Sequence, residues 1–163
     1  MTHRLSKRGF IKLALCAAVY PTTSALAGAK ALPHTQSLRD SVQAAVKSGQ
    51  PLIVMVSLPN CPFCKVVREN YLMELSAHTV PVVQVDFKSA QPLQDFDGLE
   101  WTQDQWIKSR HIHMAPTLLF LGDKAKEVAP RLEGVTSWDF YGAYLDERIE
   151  QARTAIQQSQ SKA

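Results

Sequence analysis

Two uninterrupted apolar runs, separated by a helical stretch, constrain the fold of this chain more than any other feature. The runs are "PLIVMVSL" at residues 51–58 and "VPVVQVDF" at residues 80–87, and both are rich in β-branched side chains. Apolar runs of this length are typical of strands whose two faces are both buried. Because residues 62–77 between them have a helical pattern, the sequence predicts a parallel strand–helix–strand unit covered by helices.

Two further helices are predicted around this unit. The stretch "SLRDSVQAAVKSG", residues 37–49, has an apolar helical face, and Ser37 with Asp40 can cap its start. The stretch "TQDQWIKSRH", residues 102–111, fits a short helix. Residues 88–101 show no regular pattern, and we expect them to form a polar, acidic loop.

The C-terminal third predicts a strand pair and a long helix. The strands are "APTLLFLGD" and "KEVAPRLEG", joined by a turn at Gly122-Asp123, and Thr136 with Asp139 can cap the helix. The complete order is α, β, α, β, α, β, β, α, which predicts an α/β fold with a central mixed sheet flanked by helices. The last helix is predicted to bury one apolar stripe: Trp138, Tyr141, Leu145, Ile149, Ala152 and Ile156.

Residues 1–27 are predicted to be a cleavable export signal. The basic head "MTHRLSKRGFIK" precedes the apolar "LALCAAVY", and a cleavage site follows at Ala25-Leu26-Ala27. The stretch "SKRGFIK" resembles the bacterial twin-arginine signal, with Lys7 in place of the first arginine. Export by the twin-arginine route or by the ordinary unfolded route is therefore open, and a periplasmic location is expected.

Removal of the signal changes the charge and the cysteine count of the mature protein. Basic residues fall from 18 to 14 against 15 acidic ones, so the net charge changes from +3 to −1. A domain without a basic footprint is not expected to bind nucleic acid. We expect a monomer without a stable membrane anchor, divided into a linker at 28–36, one domain at 37–157 and a flexible tail at 158–163. Cys16 leaves with the signal, so two cysteines remain.

The two remaining cysteines form the motif Cys61-Pro62-Phe63-Cys64, directly after the first apolar run. Proline suits the first position of a helix, which places Cys61 at the helix cap beside unpaired backbone N–H groups. These groups and the helix dipole stabilise a thiolate, and such cysteines have pKa values of roughly 3.5 to 7.5. Cys61 is therefore the predicted nucleophile, with Lys65 as a nearby positive charge.

Cys64 is predicted to lie on the buried stripe of the same helix, together with Val67, Tyr71 and Leu75. A buried thiol resists ionisation until a mixed disulfide forms beside it. It can then attack the sulfur of Cys61 and release the partner. An exposed, activated thiol next to a sheltered one is the arrangement that thiol–disulfide exchange requires.

Two other interpretations of the cysteine pair remain open. A copper or zinc delivery protein would use Cys61, Cys64, His111 and His113 as ligands, and Met114 would add a soft ligand suited to copper. An ordinary structural disulfide is the other alternative. Its small ring would restrain the unfolded chain poorly.

The stretch "HIHMAPTLLFLGDKAKEVAPRLEGVTSWDFYGAYLDERI" is similar to the thioredoxin family, whose pattern is x-Pro-Thr, strand, turn, strand, Gly and final helix. Together with the C-x-x-C motif, the resemblance covers about residues 37–155 and implies a thioredoxin-like fold. It also implies that Pro116, followed by Thr117, is cis and lies against the cysteine pair. The backbone of Ala115 would then pair with an incoming peptide as an added strand.

The sequence departs from thioredoxin proper at two positions. Met55 occupies the place of a buried carboxylate, which removes an obvious proton acceptor for Cys64, and Asn60 replaces the tryptophan before the first cysteine. The Pro-Phe dipeptide is nearer to glutaredoxin-type pairs. The resemblance therefore implies an exported thioredoxin-like oxidoreductase that handles disulfides in a bacterial periplasm.

The expected reaction needs no cofactor beyond the redox-active Cys61–Cys64 disulfide, and the expected partners are protein thiols and disulfides. We favour a reductant recharged by a membrane electron donor, because the chain lacks room for the large helical insertion of Dsb-type oxidases. A disulfide-donating oxidase of the same fold is the alternative. Residues 88–101 are expected at the rim of the site, where Asp95, Asp97, Glu100 and Trp101 could select partners; a solvated loop without a special role is the alternative.

Overall fold

The computed structural model describes residues 31–162, and the predicted export signal lies outside this range. A four-stranded sheet is covered by helices on both faces, and a two-stranded hairpin packs beside it. The helices are α1 (Leu38–Lys47), α2 (Pro62–Val67), α3 (Met73–His78), α4 (Gln103–Ser109) and α5 (Trp138–Gln160); the strands are β1 (Leu52–Ser57), β2 (Val82–Asp86), β3 (Pro92–Gln94), β4 (Glu100–Thr102), β5 (Thr117–Leu121) and β6 (Glu127–Glu133).

The strand order in the large sheet is β2-β1-β5-β6. Strands β1 and β2 are parallel, as the two apolar runs predict, whereas β5 is antiparallel to both β1 and β6. The predicted central mixed sheet flanked by helices is therefore confirmed. The first residue of β5, Thr117, pairs with Val56 near the end of β1, so the start of β5 and the end of β1 meet at one edge of the sheet.

The continuous apolar character of β1 reflects two separate core clusters, one on each face of the sheet. Ile53 and Met55 point into the first cluster, with side chains of α2, α3 and α5 around it. Leu52, Val54 and Val56 point into the second cluster, which contains α1 and α4. Since both faces are covered, a polar side chain at any of positions 52–56 would be buried at a cost in stability.

The helix predicted over residues 62–77 contains a π-helical turn at Arg68–Leu72, between α2 and α3. A π turn adds a residue to one turn and rotates the residues that follow it. Leu72 is consequently fully buried, while Tyr71 and Leu75, which the helical stripe predicts as buried, are only partly buried. The regular spacing of the sequence contains no sign of this rotation.

Part of the predicted irregular loop at 88–101 forms a hairpin from β3 and β4. The carboxylate of Asp95 builds its turn, since Oδ1 accepts hydrogen bonds from the backbone N–H groups of Asp97 and Leu99, each at 2.9 Å. Gly98, with a φ of 84°, supplies a left-handed conformation at the same turn. Each strand has only three residues, too short for the alternation that marks strands in a sequence.

Both ends of the domain extend beyond the predicted boundaries. Leu32, placed by the sequence in the linker, is 3% exposed in the first core cluster, and the carbonyl of Pro33 accepts a hydrogen bond from the backbone N–H of Gln84. Helix α5 continues to Gln160, into the predicted tail. Within residues 31–162, none of the helices has the length and apolar character that crossing a membrane requires.

Candidate active site

Cys61 and Cys64 form a disulfide at the point where the chain leaves β1 and enters α2, with their Cα atoms 5.2 Å apart. Cys61 is the N-cap residue of α2, and Pro62 takes the first helical position, as the motif predicts. The backbone N–H of Cys64 donates a hydrogen bond to Sγ of Cys61 at 3.1 Å. Donation from a backbone N–H stabilises negative charge on this sulfur once the disulfide is opened.

The two cysteines differ sharply in exposure. Cys61 is partly exposed beside the first core cluster, while Cys64 is fully buried within it, as its place on the helical stripe predicts. Met55, which occupies the position of a carboxylate in thioredoxin proper, is also fully buried in this cluster. Among the described residues, the buried polar side chains include one carboxylate, Asp95, and it lies outside this cluster.

The segment before β5 lies at the same edge of the sheet as the disulfide, because Thr117 pairs with Val56. The peptide bond between Ala115 and Pro116 is cis, as the resemblance implies. Two hydrogen bonds hold this segment: Thr117 Oγ1 donates to the carbonyl of Met114 at 2.9 Å, and the N–H of Gly134 donates to the carbonyl of Pro116 at 2.8 Å.

Exposed apolar side chains lie on three of the segments that form this edge. Phe63, between the cysteines, is 51% exposed, and Met114, before the cis peptide, is 49% exposed. Trp138, at the start of α5, is 39% exposed, although the apolar stripe predicts it as buried. Its indole stacks on the ring of Phe63, with centroids 6.0 Å apart and planes 6° apart. Trp138 is therefore part of the site surface, which the sequence did not predict.

The other predicted site residues are placed as follows. Asn60 is exposed with a φ of 60°, and it lines a cavity with Cys61, Pro62 and Lys65. Trp101 does not line this cavity. It packs against the second core cluster, on the opposite face of the sheet from Cys64, and its indole N–H donates to Asp95 at 2.9 Å. Trp101 and Asp95, expected at the rim of the site, both belong to the hairpin, whereas Lys88 and Ser89 at the start of the same segment line the cavity with Cys61.

His111 and His113 are exposed in the segment between α4 and β5. Within residues 31–162, no three histidine, cysteine or acidic side chains are grouped closely enough to hold a metal ion. The structure thus does not bring the four ligands of the metal-delivery interpretation together. In this state the two sulfurs are bonded to each other.

Residues 38–149 match the family model described as a thioredoxin-like domain. The chain belongs to the thioredoxin-like domain family. With the cysteine pair at disulfide distance, this membership makes the protein a thiol:disulfide oxidoreductase. No curated protein sequence matches the chain significantly.

Solved structures with the same fold include a DsbH oxidoreductase, with 16% identity, a TM-score of 0.51 and coverage of 91% of this chain and 95% of the other. The oxidised thioredoxin O2 of Arabidopsis thaliana has 18% identity, a TM-score of 0.49 and coverage of 75% and 94%. The periplasmic thioredoxin SoxS of Paracoccus pantotrophus, in its reduced form, has 18% identity, a TM-score of 0.42 and coverage of 63% and 99%.

Proposed function

We propose that this thioredoxin-like protein is an exported reductant that opens disulfides of protein substrates in a bacterial periplasm. The observation that carries the proposal is the asymmetry of the pair: Cys61 is accessible and accepts a backbone N–H, whereas Cys64 is fully buried. Thiol–disulfide exchange through a mixed disulfide requires this division between an attacking and a resolving thiol.

The reaction begins from the reduced pair. The thiolate of Cys61 attacks one sulfur of the substrate disulfide, a bond forms between these two sulfurs, and the other substrate sulfur leaves as a thiolate. Cys64 then loses its proton and attacks Sγ of Cys61, which releases the second substrate thiol. Two electrons pass to the substrate, and the protein keeps the Cys61–Cys64 disulfide.

The proton of Cys64 must leave an apolar environment. Met55, which is fully buried in the same cluster as Cys64, fills the position where thioredoxin proper has a carboxylate. The departing substrate thiolate is the nearest base that the reaction itself generates, and water is the alternative acceptor. This arrangement links deprotonation of Cys64 to the arrival of a substrate.

Peptide binding is supported by the segment before β5. No hydrogen bond among the described residues uses the backbone N–H or carbonyl of Ala115, which leaves both groups available to an added strand. Phe63, Met114 and Trp138 provide exposed apolar surface for the side chains of an unfolded or flexible substrate segment.

The proposed direction of electron flow, from this protein to its substrate, is supported by the short segment between β2 and β5. The segment between β2 and β5 contains one hairpin and one helix of seven residues, without the large helical insertion of Dsb-type oxidases. A membrane electron donor would return the disulfide to the dithiol after each cycle.

Equilibration of the pair with glutathione tests the direction. A reductant is expected to have a potential below about −200 mV, whereas a potential near −120 mV, as in a strong oxidant, would reverse the proposed direction. Expression of the full chain in a bacterium tests export: the periplasmic protein should begin at Gly28. An uncleaved product confined to the cytoplasm would contradict the proposed location.

A further inference from the structure

A cavity of about 670 Å³ adjoins Cys61 on the side of β2, and no residue of α5 lines it. Its walls are the loop before Cys61, the helical segment around Arg68, and the end of β2 with the residues that follow. Cys61 is part of the wall, so a bound molecule can contact the reactive sulfur and the cavity together.

Basic side chains dominate the unpaired charges of this cavity. Lys65, Arg68 and Lys88 line it, and none of them forms an ion pair within residues 31–162. Two acidic residues also line the cavity. Asp86 accepts a hydrogen bond from Gln84 Nε2 at 2.8 Å and lies 3.9 Å from His34 Nδ1, and Glu69 forms no ion pair within the described chain. The three cations outnumber these two carboxylates, so the charge of the wall favours an anionic group.

Arg68 offers hydrogen-bond donors to this cavity. Its Nε is closed off from solvent, whereas its terminal nitrogens stay accessible and make no hydrogen bond within the described chain. A carboxylate that enters the cavity can therefore accept from these terminal nitrogens. Gln84 also lines the wall, but its Oε1 is closed off from solvent, so a ligand in the cavity does not reach that atom.

We propose that this cavity binds the carboxylate-bearing arm of a cysteine-containing peptide disulfide, whose sulfur then lies against Cys61. The inference rests on the proposed function and names its substrate class: acidic peptidic disulfides. The exchange itself is unchanged. Cys61 forms a bond to one substrate sulfur, the other sulfur leaves as a thiolate, and Cys64 completes the two-electron reduction.

The spacing along the helix sets the size of the arm. Arg68 follows Cys61 by seven residues, a rise of about 10 Å. An extended peptide covers this distance in about three residues. Because the side chains at both ends add to the span, a carboxylate one or two residues from the substrate cysteine can reach Arg68 while the disulfide stays at Cys61.

Three small disulfides of nearly equal length test the inference: dithiodipropionate carries carboxylates, bis(2-hydroxyethyl) disulfide is neutral, and cystamine carries ammonium groups. For each reagent we divide the rate at which it oxidises the reduced protein by the rate at which the same reagent oxidises a neutral model thiol. This ratio corrects for the intrinsic reactivity of the reagent. At low salt we expect the anionic reagent to be favoured over the cationic one by about tenfold, with the preference reduced in 1 M salt.

The double variant Arg68→Gln/Lys88→Gln should lower the preference to within about twofold, without changing the rate with the neutral reagent. Lys88→Gln alone should have an intermediate effect. The matched control is Lys126→Gln, which removes the same charge from an exposed residue in the loop between β5 and β6. Absence of an anion preference, or an unchanged preference in the double variant, would overturn the inference. Failure with every disulfide, the neutral one included, would instead overturn the proposed function.

Peptide substrates distinguish whether the carboxylate-bearing arm comes from a small peptide or from an acidic segment of a protein. The disulfide of Glu-Cys-Gly is compared with the same three residues inside a longer neutral peptide, and each with its Gln-Cys-Gly counterpart. Faster reaction of the short acidic form would identify a small peptide substrate, and equal rates of both acidic forms would identify acidic protein segments. If neither acidic form exceeds its glutamine counterpart, the inference is wrong.

Discussion

The indole of Trp138 stacks on the ring of Phe63, with centroids 6.0 Å apart and nearly parallel planes. One ring belongs to the C-x-x-C motif and the other to the first residue of α5. The pair therefore joins the redox site to the C-terminal helix and places a flat apolar surface beside Cys61. Stacked aromatic pairs contribute about 0.5–1.5 kcal/mol beyond their buried area.

Trp138→Ala should lower kcat/KM for a protein disulfide by about threefold to tenfold, since it removes apolar surface that a substrate segment contacts. Reduction of a small neutral disulfide should change by less than twofold, because that reagent needs only Cys61. The control is Phe140→Ala, since Phe140 is 58% exposed on the same helix but packs against Tyr144 instead. Equal losses with both classes of substrate would show that Trp138 acts on the cysteines rather than on substrate binding.

Replacement of Leu72 tests the π-helical turn. Because Leu72 is fully buried and Leu75 only partly buried, Leu72→Ala should reduce the free energy of unfolding by about 2–5 kcal/mol, and Leu75→Ala by clearly less. Urea denaturation of both variants measures the difference. A larger loss for Leu75→Ala would mean that the regular helical stripe, without the π turn, describes the packing.

Tyr141→Phe should leave the protein as stable as the parent or slightly more stable at neutral pH. The hydroxyl of Tyr141 is buried without a hydrogen-bond partner in the described chain. Its removal therefore breaks no hydrogen bond and relieves the cost of burying an unsatisfied polar group. Urea denaturation measures the change, and Tyr144→Phe, at an exposed position, is the control. A loss above about 1 kcal/mol would indicate a hydrogen bond to the hydroxyl.

The same residue predicts a pH dependence. Burial raises the pKa of the Tyr141 hydroxyl above its value in the unfolded chain, and the nearby Tyr71 adds a smaller contribution in the same direction. The folded state thus favours the protonated form, so its contribution to stability is complete below about pH 10 and declines as the pH rises further. In Tyr141→Phe this alkaline decline should be smaller. Identical profiles of unfolding free energy between pH 8 and pH 11 would contradict the burial of the hydroxyl.

The sequence predicted the sheet and its helices because their signals are local and repeated. Two apolar runs buried on both faces predicted β1 and β2, and Pro62 before a helical stripe predicted the cap at Cys61. The hairpin of β3 and β4 was missed because its turn is organised by the Asp95 carboxylate rather than by strand alternation.

The positions of two tryptophans depend on tertiary packing that the sequence pattern does not show. Trp138 fits the helical stripe, yet it stacks on Phe63 because α5 begins beside the cysteine motif. Trp101 is expected to be exposed from the polar residues around it, whereas its ring packs against the second core cluster. The sequence does contain one signal for the cavity next to Cys61, because Gln84, which lines it, interrupts an otherwise apolar strand.

In the proposed mechanism Cys61 attacks the substrate disulfide, and Cys64 resolves the mixed disulfide. The most direct measurement is mass spectrometry of reduced Cys64→Ser and Cys61→Ser after mixing each with a disulfide-containing protein. We expect a stable mixed disulfide on Cys61 in the Cys64→Ser variant, and neither an adduct nor disulfide reduction with Cys61→Ser. Equal adducts in both variants, or an adduct only through Cys64, would contradict this mechanism.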